Sequence, residues 1–198
     1  FLAPYIDNIL TVGVASATAA LEGIQEETLK NIEADTFWCF SKLLDSIQDH
    51  YTFAQPGIQK MIHKLKDLIK RIDVKLYNHL ATSGVEFLQF AFRWMNCLLL
   101  RELPMRMLIR LWDTYLAEGD GFATLHVYVC AAFLNNWSER LQACEFTDLI
   151  LLLQSLPAHE LSIQDLEMLI SKAYMWRELY DAAPSHLTND EGTCQRRG

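Results

Sequence analysis

The sequence predicts an all-α protein of about eight or nine helices, and two observations carry that prediction. Apolar residues recur at the 3- and 4-residue spacing of one helix face in stretch after stretch, and no stretch alternates with period two for long enough to make a convincing strand. The organising stretch is 86–118, EFLQFAFRWMNCLLLRELPMRMLIRLWDTYLAE, where apolar residues leave almost no polar face. In its first half, Phe87, Leu88, Phe90, Ala91, Phe92, Trp94, Met95 and Cys97 to Leu100 point all round a helix, the pattern of an element buried on every side and running to about Leu103. Pro104 fits only a first turn, so a second helix starts there and carries Met107, Leu108, Leu111, Trp112 and Tyr115 to a stop at 118–121.

Taken in order, residues 1–12 are apolar and read as a helix, with irregular small-residue chain to follow. A short helix is expected over 22–32 and an amphipathic one over 36–51, its Phe37, Phe40, Leu43, Leu44 and Ile47 turned to the core. Pro56-Gly57 is a turn dipeptide. A single helix over 58–80 would then last about six turns, opposing Ile58, Met61, Ile62, Leu65 and Leu68 to Lys60, Lys64, Lys66, Lys70, Arg71 and Asp73. That charged face reads as solvated; its functional alternative is a basic stripe for acidic partners. Thr82-Ser83-Gly84 breaks the chain before the organising stretch. Residues 122–137 are again apolar all round, 146–156 form a helix stopped by Pro157, and Ser162 caps a last helix with Ile163, Leu166, Leu169, Ile170, Ala173 and Trp176 facing inward. The tail 183–198 has almost no apolar content and is expected to be disordered.

Composition bounds the function. A chain of 198 residues that is 51% hydrophobic can bury one sizeable core. Despite a mean hydropathy of +0.06, no apolar run reaches the roughly 18 to 20 residues that span a bilayer. A formal charge of −8 disfavours nucleic acid and anionic membranes as partners. The five cysteines lie far apart without a Cys-x-x-Cys, which predicts reduced, buried thiols. The first residue is Phe1 in an already helix-like run, from which a longer parent protein is expected.

No Gly-rich phosphate loop, nucleophile elbow or His-Glu-x-x-His is present. His126 and Cys130 share a helix face, but no second ligand pair accompanies them, so core packing and no metal is the expectation. His50, His63 and His79 are placed at helix ends or polar faces, with solvated or capping roles. The charges Arg93, Arg101, Glu102, Arg106, Arg110 and Asp113 surround apolar helices and must be paired there, Arg110 with Asp113 and Glu102 with Arg106; a structural ion-pair network is expected. The sharper alternative is a small-ligand or partner site around Arg93 and Arg110.

The succession Glu33-Ala-Asp-Thr-Phe-Trp38 with Leu43-Leu44, then Leu76-Tyr-Asn-His-Leu80, then Phe90-x-x-Arg93-Trp94, Leu99-Leu-Arg-Glu-Leu-Pro104 and Arg110-Leu-Trp-Asp113 resembles the C-terminal half of the TBC domain of Rab GTPase-activating proteins. The likeness covers residues 1–182 in order and spacing. It implies a partner, a GTP-bound Rab-family small GTPase, and a place in vesicle trafficking, cytoplasmic and recruited peripherally to endomembranes. In that family an arginine from Ile-x-x-Asp-x-x-Arg and a glutamine from Tyr-x-Gln act in trans on bound GTP, an arginine finger supplying about 10³ to 10⁵ in rate. Ile32-x-x-Asp35-x-x-Trp38 has the first spacing but ends in tryptophan, and none of the seven tyrosines is followed two places on by glutamine. No residue here is therefore expected to be catalytic and no cofactor is expected. The chain reads as helical support and GTPase-binding surface, without activity on its own; the alternative is a non-catalytic Rab- or adaptor-binding scaffold. Tyr51, Phe53 and Gln55, in the turn before Pro56, are the partner-facing candidates. With the N-terminal half of the domain missing, an exposed apolar seam or self-association through it is also expected.

Overall fold

The computed structural model describes residues 25–181. The helix expected at 1–12 and the polar tail at 183–198 lie outside the described residues. Among the described residues there are nine α-helices and no strand: α1 (Glu26–Ser46), α2 (Pro56–Ile72), α3 (Val74–Thr82), α4 (Leu88–Asn96), α5 (Met105–Ala117), α6 (His126–Asn136), α7 (Ser138–Gln142), α8 (Phe146–Gln154) and α9 (Ile163–Asp181). Short 3₁₀ turns at Gln48–His50 and Ala158–Glu160 and a π turn at Gly121–Leu125 connect them.

Helix α6 is the hub. Every residue from His126 to Leu134 is buried, because α2 and α9 pack along it and α4 crosses it. This is the inner helix that its all-round apolar sequence predicts. Helix α2 has the opposite character: Ile58, Met61, Ile62, Leu65, Leu68 and Ile69 are buried on one side while its charges face out. Helix α9 begins as expected at Ser162, whose amide and hydroxyl donate to Asp165 Oδ2 at 2.8 and 2.7 Å while the Asp165 amide donates back to Ser162 Oγ at 3.2 Å. This reciprocal arrangement satisfies helix-end amides that have no intrahelical partner. Its inward residues are Leu166, Leu169, Ile170, Ala173 and Trp176, whereas Ile163 is exposed.

The structure corrects four expectations. The helix predicted over 58–80 breaks at Asp73, where a carboxylate placed on a solvated face instead accepts from the Leu76 amide at 2.9 Å and from Ser138 Oγ at 2.5 Å and Asn135 Nδ2 at 3.1 Å. Asp73 thus caps α3 and fastens it to the C-terminal end of α6 and the start of α7. The first helix of the organising stretch ends at Asn96 instead of about Leu103; Leu98 and Leu99 take φ of 51° and 61°. The break is stabilised by one tertiary bond, Trp112 Nε1 donating to the Leu98 carbonyl, and by a local helix-end bond from the Leu99 amide to the Trp94 carbonyl. Nor is α4 buried on all sides: Phe90, Ala91, Trp94 and Met95 are, but Leu88, Phe92 and, past its end, Leu100 are exposed.

The fourth correction concerns α1. The short helix at 22–32 and the amphipathic one at 36–51 are one continuous helix from Glu26 to Ser46, and none of its residues is buried. Phe37, Trp38 and Phe40 are 62%, 70% and 58% exposed, and Cys39 beside them is exposed too. Of the inward set predicted there, Leu43 is packed at the core edge and Ile47, past the helix end, is fully buried. The amphipathic pattern is real, but among the described residues its aromatic ridge has no covering element; α1 meets the π turn at Gly121–Leu125.

Candidate functional site

The turn that leads into α2 carries the three partner-facing candidates. Pro56 opens the helix, and the two residues before it, Ala54 and Gln55, both take left-handed backbone, φ 63° and 45°. Two consecutive non-glycine residues in that region store strain, and strained backbone clusters where a protein must present something. The turn is held from below. Gly57 is buried, and a Cβ there would fall on the Asp49 carboxylate and the His50 ring, so no larger residue fits without displacing them. Gln59 Nε2 donates to the Ala54 carbonyl at 2.7 Å and Tyr51 OH to the Asn96 carbonyl at 3.2 Å.

The structure therefore places the three candidates on one hydrogen-bonded loop but gives them different situations. Phe53 is 100% exposed, touching nothing that would explain an aromatic side chain there. Tyr51 is half exposed and spends its hydroxyl on the end of α4, where burial, then the Cys97 sulfur, raises its pKa. Gln55 lines a cavity of about 550 Å³ between α2 and α4, with Ile62, Phe87, Leu88 and Phe92 as its apolar walls. His50, expected at a solvated end, is instead buried at 2% exposure. Burial lowers its pKa against the opposing pull of Asp49.

The charged residues of the organising stretch do not form one network. Arg93 makes a bidentate pair with Glu102, Nε to Oε1 at 2.6 Å and Nη2 to Oε2 at 2.9 Å, and also donates to the Gln154 carbonyl at 2.6 Å. The Glu102 side chain is only 3% exposed. Glu102 is thus bound to Arg93 and not to Arg106, because the chain leaves the helix at Cys97 and folds back beneath α4. Arg110 pairs not with Asp113 but with Glu167 of α9, at 2.7 Å, and with Thr114 Oγ1 at 2.6 Å. Arg101, Arg106 and Asp113 are exposed and form no ion pair among the described residues. Arg93 and Arg110, the residues proposed to centre a small-ligand site, are thus both committed to protein groups.

The hydrogen-bond partners of the core's polar groups escaped sequence reasoning. His126 Nε2 meets the Trp94 carbonyl at 3.1 Å and its Nδ1 meets Tyr115 OH at 2.9 Å, so α4, α5 and α6 are joined through one buried ring. With Nε2 donating to that carbonyl, Nδ1 accepts from the tyrosine. Burial lowers the His126 pKa to about 4 and pushes the Tyr115 and Cys130 groups well up. Cys130 Sγ lies 3.5 Å from His126 Nε2, so the pair spaced like metal ligands is packed into the core. His79 Nε2 bonds the Cys144 carbonyl at 3.1 Å, and His63 stays exposed. Glu118 is likewise held, by Tyr174 OH at 2.6 Å and Arg177 at 2.9 Å, which lower its pKa. The sequence signal for such groups is only a polar residue inside an apolar helical run, and it does not name the partner. No helix among the described residues is long and apolar enough to cross a membrane.

The sequence model of the Rab-GTPase-TBC domain matches residues 14–142. The GTPase-activating protein gyp1 of Schizosaccharomyces pombe is 55% identical over 164 residues, covering 82% of this chain and 32% of that protein. TBC1 domain family member 22A of Homo sapiens is 52% identical over 170 residues, 85% of this chain and 33% of that one. The crystal structure of the Ypt/Rab-GAP domain of Gyp1p superposes with a TM-score of 0.77 at 48% identity, covering 81% of this chain and 50% of that domain's chain. The chain thus spans about a third of the length of the curated relatives it matches. With a family match over well over half of its residues and a shared helical architecture, the chain belongs to the Rab-GTPase-TBC domain family.

Proposed function

We propose that residues 1–182 are the C-terminal subdomain of a GTPase-activating protein for a GTP-bound Rab-family GTPase, supplying helical support and part of the receiving surface while the catalytic arginine and glutamine come from upstream chain. The observation that carries this is the aromatic ridge of α1. Phe37, Trp38 and Phe40 stand exposed on a helix with no buried residue, in a chain that covers half of the solved relative's domain. A ridge of that size in water is costly, at about 25 cal/mol per Å² of apolar surface, and is the seam expected where the rest of the domain would pack. On this reading the isolated chain also self-associates through the same ridge.

The absence of both finger motifs points the same way. Arg93, Arg110, Arg140 and Arg177 are each paired with a carboxylate, and Arg101 and Arg106, which are not, stand outside any Ile-x-x-Asp-x-x-Arg motif. The turn bearing Tyr51, Phe53 and Gln55 is the GTPase-facing element of this subdomain, in the cytoplasm and at the endomembranes to which its GTPase is anchored. The same exposed turn serves a non-catalytic Rab or adaptor scaffold equally well.

Single-turnover hydrolysis by GTP-loaded Rab proteins, with and without the 198-residue chain, tests the proposal. The expected result is an unchanged rate. Acceleration beyond about tenfold, well short of a full arginine-finger effect, would overturn it.

A further inference from the structure

The cavity beside the partner-facing turn is one part of a longer furrow. The hollow of about 550 Å³ between α2 and α4 shares Lys66, Glu86 and Phe87 with a second of about 120 Å³ that continues to Tyr77 of α3. Along α2 the larger hollow alone runs from Gln55 to Lys66, about 16 Å at the helical rise per residue, the length of three helical turns or about five extended residues. A trough of those proportions suits a peptide segment better than a compact small molecule.

Its surface is apolar where it is exposed. Leu88 and Phe92 stand on one face of α4 at i and i+4, 57% and 37% exposed, and Phe53 projects fully at the near end. Single exposed apolar side chains need no explanation, but Leu88 and Phe92 line one concavity together, and Phe53 is exposed next in sequence to Ala54 of the same lining, which marks an interaction surface. The rim has the opposite charge sense to the protein. The chain carries −8 overall, yet the α2 wall offers Lys66 with His63, and one turn on, Lys70, against the single carboxylate Glu86. Neither Lys66 nor Lys70 forms an ion pair among the described residues; Lys70 lies 5.9 Å from the Tyr77 ring. Lys66 is half-buried, so its methylenes line the furrow while its ammonium stays at the edge.

We infer that this furrow docks an acidic peptide segment of a protein partner, its apolar side chains seated against Leu88 and Phe92 and its carboxylates on Lys66 and Lys70. Docking here does not require the GTPase assignment of the neighbouring turn. It turns Lys66 and Lys70, which form no ion pair among the described residues, into one edge of a binding site, and the strained Ala54-Gln55 backbone closes its near end.

The test is selection of twelve-residue peptides from a randomised display library on the 198-residue chain, with no GTPase or nucleotide present, so that its outcome is separate from that of the hydrolysis assay. Enrichment of sequences pairing Asp or Glu with aromatic or branched aliphatic residues is expected. Binding of the selected peptides, read by fluorescence anisotropy, should weaken tenfold or more in Lys66→Glu and in Leu88→Ser and fall with rising salt. Both side chains lie outside the core, and unchanged thermal melts of the two variants would show that the fold is intact. Failure to enrich any peptide, enrichment of neutral or basic ones, or acidic binders indifferent to both substitutions would each overturn the inference.

Discussion

His126 holds three helices together through two hydrogen bonds and tolerates no charge where it sits. Its pKa is lowered from 6.5 to about 4 by burial, so the native state refuses a proton that the unfolded chain accepts. The sign follows from linkage: stability is full above the unfolded pKa of 6.5 and is lost as pH falls towards the folded value. The whole effect is about 3 kcal/mol at about 1.4 kcal/mol per pKa unit, of which about 1 kcal/mol is gone by pH 5.5. His50, also lowered by burial, adds in the same direction. Urea unfolding at pH 7.5 and 5.5 should show that loss, and His126→Gln should reduce it. A stability independent of pH over this range would contradict the buried neutral ring. That His126 belongs to the core was legible in its apolar helix; that Tyr115 and the Trp94 carbonyl receive it was not, because those partners are 11 and 32 residues away.

At the scale of elements, breaks decide more than periodicities. The residues from Ile58 to Leu80 keep helical spacing straight through Asp73, and nothing in that pattern announces that the chain turns there. The turn exists because one carboxylate satisfies the Leu76 amide on one side and Ser138 and Asn135 on the other. Asp73→Ala removes a helix cap and leaves two part-buried donors without their acceptor, an expected cost of about 2 to 4 kcal/mol. Asp73→Asn keeps one acceptor oxygen and should recover part of it. Thermal unfolding of the two variants checks this; an alanine variant within about 0.5 kcal/mol of the parent, the range of ordinary surface changes, would return Asp73 to the solvated face that its spacing suggests. The end of α4 at Asn96 has the same origin. Leucine-rich sequence there is compatible with helix, and it is the Trp112 indole on the Leu98 carbonyl that favours the alternative.

Across the whole molecule, the core and the ridge on α1 obey the same physics with opposite outcomes. Helix α6 is buried by its neighbours, whereas the aromatic face of α1 is left to water. Replacing Phe37, Trp38 and Phe40 by serine should therefore leave the helical circular dichroism and the melting temperature nearly unchanged, since all three are mostly exposed and have no covering element among the described residues. The same variant should shift the isolated chain towards monomer in sedimentation velocity. If the substitutions instead collapse the fold, the ridge is part of this chain's own core and the seam assignment fails.

By itself the sequence determined the all-helical class, the inner position of α6, the amphipathic side of α2, the Ser162 cap and the family likeness. Each is written in spacing along one chain, within a turn or two of helix. Tertiary structure alone decided that Glu102 binds Arg93, that Arg110 binds Glu167, that Asp73 ends a helix, and that Phe37, Trp38 and Phe40 go uncovered among the described residues. Pairing and covering depend on which distant segment arrives, and an apolar pattern states that a face must be buried without stating by what.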